Sequence, residues 1–140
     1  MTANVIVTDD GFSKEDWHSP IISNFDVPRS KEALAIDVMP NCDPVDILKT
    51  SNLKMIRINF SDFSDGRGFT LARIIRLLGF TGRLCAKGLL ISDKYSMVRP
   101  SGFDEVEITA ALAKKQPEEH WLYRADGWQD NDYQNRMRTS

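Results

Sequence analysis

The chain has 140 residues, 18 Lys and Arg against 20 Asp and Glu, and a formal net charge of −2. That length suits one domain able to bury roughly two-thirds of its unfolded surface, and 41% hydrophobic with 27% charged residues is a globular composition. The charge balance gives no electrostatic case for nucleic acid or an anionic membrane. No apolar run approaches the roughly 20 residues of a membrane span, and the N-terminus lacks the features of a signal peptide, so a cytoplasmic location is expected.

Residues 1–30 read as an N-terminal extension. Val5-Ile6-Val7 predicts a short strand and Asp9-Asp10-Gly11 a turn. Trp17, Ile21, Ile22 and Phe25 supply apolar side chains for packing on the main body. From residue 33 a βα rhythm begins and continues to residue 108. Leu34 to Met39 predicts a largely buried strand. Asp43-Pro44 is a helix start, with an acid that can cap and proline at the first helical position. The helix ends near Asn52, and Met55 to Phe60 is the next strand.

Phe69, Ala72, Ile75 and Leu78 recur at helical spacing, which predicts a helix over 69–78 with Arg73 and Arg76 solvated. Gly79 is placed to end it. Arg83 to Gly88 predicts a third strand, Ser92 to Val98 a short helix, and Glu105 to Ile108 a fourth strand. A helix follows from Thr109 until Pro117 breaks it. Glu118 to Tyr123 predicts another helical turn. The rest of 109–140 is a polar tail in which Trp128, Tyr133 and Met137 are available to dock on a neighbour.

Strands separated by helices imply right-handed crossovers and a mainly parallel, four-stranded α/β sheet. Two strand orders remain open: a sequential, half-barrel-like order, or a flavodoxin-like order with a crevice at its switch point. In either, the loops after the strands emerge on one side. They are Asn41-Cys42-Asp43, residues 61–68, and Gly88 to Ser92.

The loop Ser61 to Gly68 carries the most chemistry. Asp62, Asp65, Gly66, Arg67, Gly68 and Thr70 lie between a strand and a helix, where backbone N–H groups and the helix dipole favour an anion. Arg67 would add a charge-assisted contact and Thr70 a hydroxyl, with Asp43 contributing from the neighbouring loop. The structural alternative is that Asp65 caps the helix or pairs with Arg67, and that Asp43 only caps. Asp62 and Asp65 also offer carboxylates to Mg²⁺, although Arg67 would compete for them. Cys42 and Cys85 form no CxxC pair and read as reduced packing residues. His18 and His120 lie outside the repeating core. Neither GxGxxG nor a P-loop is present, so no cofactor is named, and electron transfer would need one held by a partner or an unusual site.

Four segments together resemble the bacterial domain of unknown function 934 family. They are Asn41-Cys42-Asp43-Pro44, residues 60–70 with their Asp-Gly-Arg-Gly core, Gly79-Phe80-Thr81-Gly82, and Arg99-Pro100-Ser101-Gly102-Phe103-Asp104. The resemblance covers residues 33–108. It implies an association with sulfite reduction, since members are labelled as oxidoreductases of that process. This chain has Cys85-Ala86-Lys87-Gly88-Leu89 where the family pattern is Arg-Ala-x-Gly-Asp. Two functions from different classes follow. One is an accessory protein that binds sulfite reductase or its electron donor. The other is a small anion- or phosphate-binding enzyme. A homodimer is compatible with either, because a four-stranded sheet leaves edges to cover.

Overall fold

The computed structural model describes residues 4–14, 21–23, 35–49, 53–61 and 66–139, with the backbone alone for 21–23 and 129–139. The strands are β1 (Val5–Thr8), β2 (Gly11–Lys14), β3 (Ile21–Ser23), β4 (Ala35–Val38), β5 (Met55–Phe60), β6 (Arg83–Gly88) and β7 (Glu105–Ile108). The helices are α1 (Pro44–Leu48), α2 (Arg67–Leu77), α3 (Tyr95–Val98, entered through a 3-10 turn), α4 (Ala110–Lys115) and α5 (Glu118–Thr139).

All seven strands form one sheet in the order β2-β1-β7-β6-β5-β4-β3. β3 to β7 are parallel and lie in chain order; the flavodoxin-like order is not adopted. The four-stranded expectation is therefore too small. Ile21–Ser23 adds a parallel strand at one edge, too short to show a period. At the other edge the β1–β2 hairpin pairs antiparallel with β7, and nothing local to β1 foretells that long-range partner.

Local chemistry explains the boundaries. The Asp43 carboxylate accepts a hydrogen bond from Val45 N–H at 2.9 Å, with Pro44 beginning α1. At the end of α2, Gly79 N–H reaches Arg76 O (3.0 Å) and Phe80 N–H reaches Ile75 O (3.2 Å), a Schellman cap with Gly79 at φ 104°. Thr109 Oγ1 caps α4 at Leu112 N–H, 3.1 Å. The C-terminal segment departs from the expected turn and tail: α5 runs unbroken to Thr139. Trp121 and Ala125 bury one side of it, and Trp128 packs partly on the core.

Right-handed crossovers in sequential order place the helices on one face. There Ile36, Val38, Ile56, Ile58, Leu84, Ala86, Val106 and Ile108 pack against Leu71, Ala72, Ile75, Val98, Tyr95 and Trp121. Helices pack 8–10 Å apart and strands about 4.8 Å apart, so the crowded helical layer favours the convex side. Chain length requires curvature. Lys14 and Ile21 are seven residues apart, a reach of about 25 Å, whereas six flat strand spacings between β2 and β3 would need about 29 Å. The sheet must curl.

The opposite face is charged. Alternation along the strands puts Asp37, Arg57, Asn59, Cys85, Lys87, Glu105 and Glu107 on it. Arg57, 7% exposed, donates Nε and Nη2 to the two oxygens of Asp37 (2.6 and 2.5 Å) and Nη1 to Glu107 (3.1 Å). Arg83 forks onto Glu105. Burial opposes the Arg57 charge, but Asp37 and Glu107 outweigh it and hold the guanidinium above its ordinary pKa.

Candidate functional site

The described residues leave a hollow where β4 and β5 finish. A groove of about 270 Å³ runs there between the loop after β4 and the first turns of α2. Pro40, Asn41, Cys42 and Pro44 line one wall; Arg67, Thr70, Leu71 and Ile74 line the other. Two loops that are distant in sequence thus converge because β4 and β5 are parallel neighbours. Arg67 and Thr70 are exposed at the helix start. The first α-type bond of α2 is from Thr70 N–H to Gly66 O (3.4 Å). The amides of Arg67, Gly68 and Phe69 precede it, at the electropositive end of the helix dipole.

The other expected site residues have different placements. Asp43 stands beside the groove with one oxygen engaged in capping α1. Gly66 has right-handed helical geometry (φ −86°, ψ −8°) and caps α2 without a side chain. Gly68 is buried, and a Cβ there would lie 2.2 Å from the Phe60 ring, so its glycine serves close packing. Asp62 and Asp65 lie outside the described residues, as does His18. His120 is exposed on α5. Among the described residues no group of three or more His, Cys, Asp or Glu is arranged to hold a metal, and no helix is long and apolar enough to cross a membrane.

The neighbouring strand end is closed. Gly88 (φ 124°) passes so near Phe60 that a Cβ would lie 2.2 Å from its carbonyl oxygen. Gln116 then accepts from Ser92 N–H (2.5 Å) and donates to Leu90 O (3.4 Å), tying the α4–α5 junction over β6. Among the described residues the groove therefore lies at the ends of β4 and β5. Cys85 sits below on the charged face, where burial and then Glu105 and Glu107 push its thiol pKa far up. It is a protonated packing group. Cys42 is half-buried in the groove wall.

The far end of the sheet is bound by hydrogen-bond hubs. Arg76, expected to be solvated, donates to Gly102 O (2.9 Å), Phe80 O (3.1 Å), Gly82 O (2.7 Å) and Asp104 Oδ2 (3.0 Å). It ties together the two loops Gly79–Gly82 and Arg99–Asp104. Asp9, in the hairpin turn, accepts from Tyr95 Oη (2.6 Å), Trp128 Nε1 (3.1 Å) and Arg99 Nη2 (3.1 Å). The Arg99 guanidinium also covers the Trp128 ring at 4.7 Å. Burial would raise the Asp9 pKa, but donors from Arg99, Tyr95 and Trp128 win and lower it; burial, then the Asp9 hydrogen bond, raises Tyr95. Trp128 thus docks within its own chain.

Sequence reading missed both the charged face and this hub. The face had a signal: charge alternates with apolar residues in Arg57-Ile58-Asn59, Arg83-Leu84-Cys85-Ala86-Lys87 and Glu105-Val106-Glu107. The hub had none, because Asp9, Arg99 and Trp128 are remote in sequence. In comparison with known proteins, residues 35–139 match the model of a family described as a bacterial protein of unknown function, DUF934. No curated protein and no solved structure matches.

Proposed function

The chain belongs to the DUF934 family, and from that premise we propose that it is an accessory protein of assimilatory sulfite reduction which binds a reductase partner. The carrying observation is apolar surface left open on the helical layer. Leu77 is 79% exposed and Leu78 51% exposed at the C-terminal end of α2, with Ile74 (37%) exposed one turn before. Apolar side chains exposed together on adjoining turns mark protein contact sites better than scattered ones do. The sulfite association comes from the resemblance of residues 41–44, 60–70, 79–82 and 99–104 to that family. The test uses purified protein and the sulfite reductase of the same organism, mixed and followed by sedimentation velocity and by reductase turnover. Co-sedimentation with changed turnover supports the proposal; two independent boundaries with unchanged turnover refute it.

A second reading is favoured by the β4–β5 groove, whose wall combines Arg67, Thr70 and a helix start. It makes the protein a binder of a small anion such as sulfite or a phosphate ester. Calorimetric titration with sulfite and with inorganic phosphate tests it. Saturable heat lost in Arg67→Ala supports it; heat unchanged by that substitution removes the groove from consideration.

A further inference from the structure

We infer that the charged face of the sheet carries, at its C-terminal edge, a binding site for a small zwitterion, an α-amino acid. Its carboxylate is taken by Lys87 and its ammonium by Asn59 and Asp37. The inference is independent of the accessory reading and of the β4–β5 groove. Asp37, Asn59 and Lys87 are each the last residue but one of β4, β5 and β6, so they form one row across the strand ends. In parallel α/β sheets ligands bind beyond those ends. Beside the row, Arg57, Glu105 and Glu107 are buried. The side chains of Asp37 and Lys87 keep 26% and 33% exposure, and Asn59 is half-buried. Solvent therefore reaches the row while the ion pairs that support it are sealed.

The hydrogen-bonding capacity left over in this row is of two opposite kinds. Lys87 Nζ stands 3.7 Å from Glu107 Oε2, too far for a hydrogen bond, so among the described residues its N–H donors are not engaged. Glu107 does not depend on it, because Arg57 (3.1 Å) and Asn4 (2.9 Å) already donate to that carboxylate. Asn59 Nδ2 donates to Asp37 Oδ1 (3.2 Å) and Val38 O (3.3 Å), which leaves its Oδ1 without a donor among the described residues. Asp37 Oδ2 accepts from Arg57 Nη2 at 2.5 Å, and a carboxylate oxygen has room for a second donor. Arg57 at the same time fixes the orientation of Asp37.

Donors on β6 and acceptors on β5 and β4 match a molecule that carries both charges. β4 and β6 are two strand spacings apart, about 10 Å. An α-amino acid with a charge-assisted hydrogen bond at each end covers about 9 Å. A zwitterion has no net charge. Its placement depends on the order of donors and acceptors in the row rather than on the total charge around it, the acids of the loop after β5 included.

The test titrates each of the common L-amino acids into the full wild-type chain and follows its amide resonances. For the amino acid that binds most tightly, two controls follow: the same molecule without its ammonium group, and the same molecule without its carboxylate. The amino acid is expected to shift Asp37, Asn59 and Lys87 saturably, and each control should bind at least about tenfold more weakly, having lost a charged hydrogen-bonding end. Lys87→Met should weaken the amino acid by a similar factor, whereas Lys54→Met, at an exposed lysine outside the row, should leave it unchanged. Lys87 is partly exposed, so Lys87→Met should keep the wild-type thermal midpoint; if it does not, the two control ligands on the wild-type chain decide by themselves. The inference is overturned if no amino acid gives a saturable shift, or if either control binds as tightly as the amino acid itself. Shifts confined to α2 and the loop after β4 overturn it too, and so does binding that a folded Lys87→Met leaves unchanged.

Discussion

Replacing Asp9 with asparagine isolates the hub that joins the hairpin to α3 and α5. Asp9 Oδ1 accepts from Tyr95 Oη (2.6 Å), Trp128 Nε1 (3.1 Å) and Arg99 Nε (3.2 Å), and Oδ2 accepts from Arg99 Nη2 (3.1 Å). Asparagine keeps the shape but turns one acceptor into a donor and removes the charge facing Arg99. Hydrogen bonds to charged groups contribute about 1.5–3 kcal/mol each, and two are lost or inverted. The Arg99 and Asp9 side chains retain 21% and 18% exposure, so water recovers part of that. A net loss of about 2–3 kcal/mol is expected. Urea unfolding of Asp9→Asn beside the wild type measures it, and the thermal midpoint should fall by roughly 8 °C. The pH dependence follows from the lowered Asp9 pKa. A depressed folded pKa gives stability that is full above the ordinary carboxylate pKa and is lost as pH falls through the folded value. The gap between wild type and Asp9→Asn should therefore persist from pH 7 to pH 5 and close only in stronger acid. A difference below about 0.5 kcal/mol, within the usual range of surface substitutions, or a gap that closes between pH 7 and pH 5, would refute the reasoning.

Three further positions, Arg57, Gly66 and Gly68, carry expectations for stability. Arg57→Met leaves Asp37 and the buried Glu107 without their shared cation, and should cost about 3–5 kcal/mol in urea unfolding; Arg57→Lys should rescue little, because a single ammonium cannot reproduce the fork. A near-neutral Arg57→Met would show that the charged face is dispensable. Gly66→Ala should be neutral or stabilise by about 0.4–1 kcal/mol, since its backbone is already helical and a Cβ meets nothing. Gly68→Ala should destabilise by about 1–3 kcal/mol against the Phe60 ring, and a double-mutant cycle with Phe60→Leu should recover part of that loss. Strict additivity would mean that the ring is not what demands glycine at 68.

Much of the fold was legible where the signal was local. Met55–Phe60, Arg83–Gly88 and Glu105–Ile108 appear with the bounds their apolar residues and flanking turns indicate. Asp43-Pro44 and Gly79 mark helix ends because a cap acts on amides within a turn of itself. The candidate site was legible as a loop: Arg67 and Thr70 do stand at a helix start beside Asn41 and Cys42. The role of Gly68 was not, because it depends on an aromatic ring from the preceding strand. Arg76 read as solvated because helical periodicity says only which face a residue takes, and not which carbonyls wait beyond that face.

Sequence by itself thus determined the alternation of strands and helices, their caps and the parallel βα rhythm, since each depends on neighbours within a few residues. Tertiary structure alone decided the sequential strand order, the hairpin beside β7 and the long docked C-terminal helix. The charge alternation that divides the two faces is local to the strands, and their pairing turned one face into an ion-paired ladder. Those outcomes depend on pairings such as Val7 with Val106, Arg57 with Glu107 and Asp9 with Trp128, whose free energy exists only when remote segments meet.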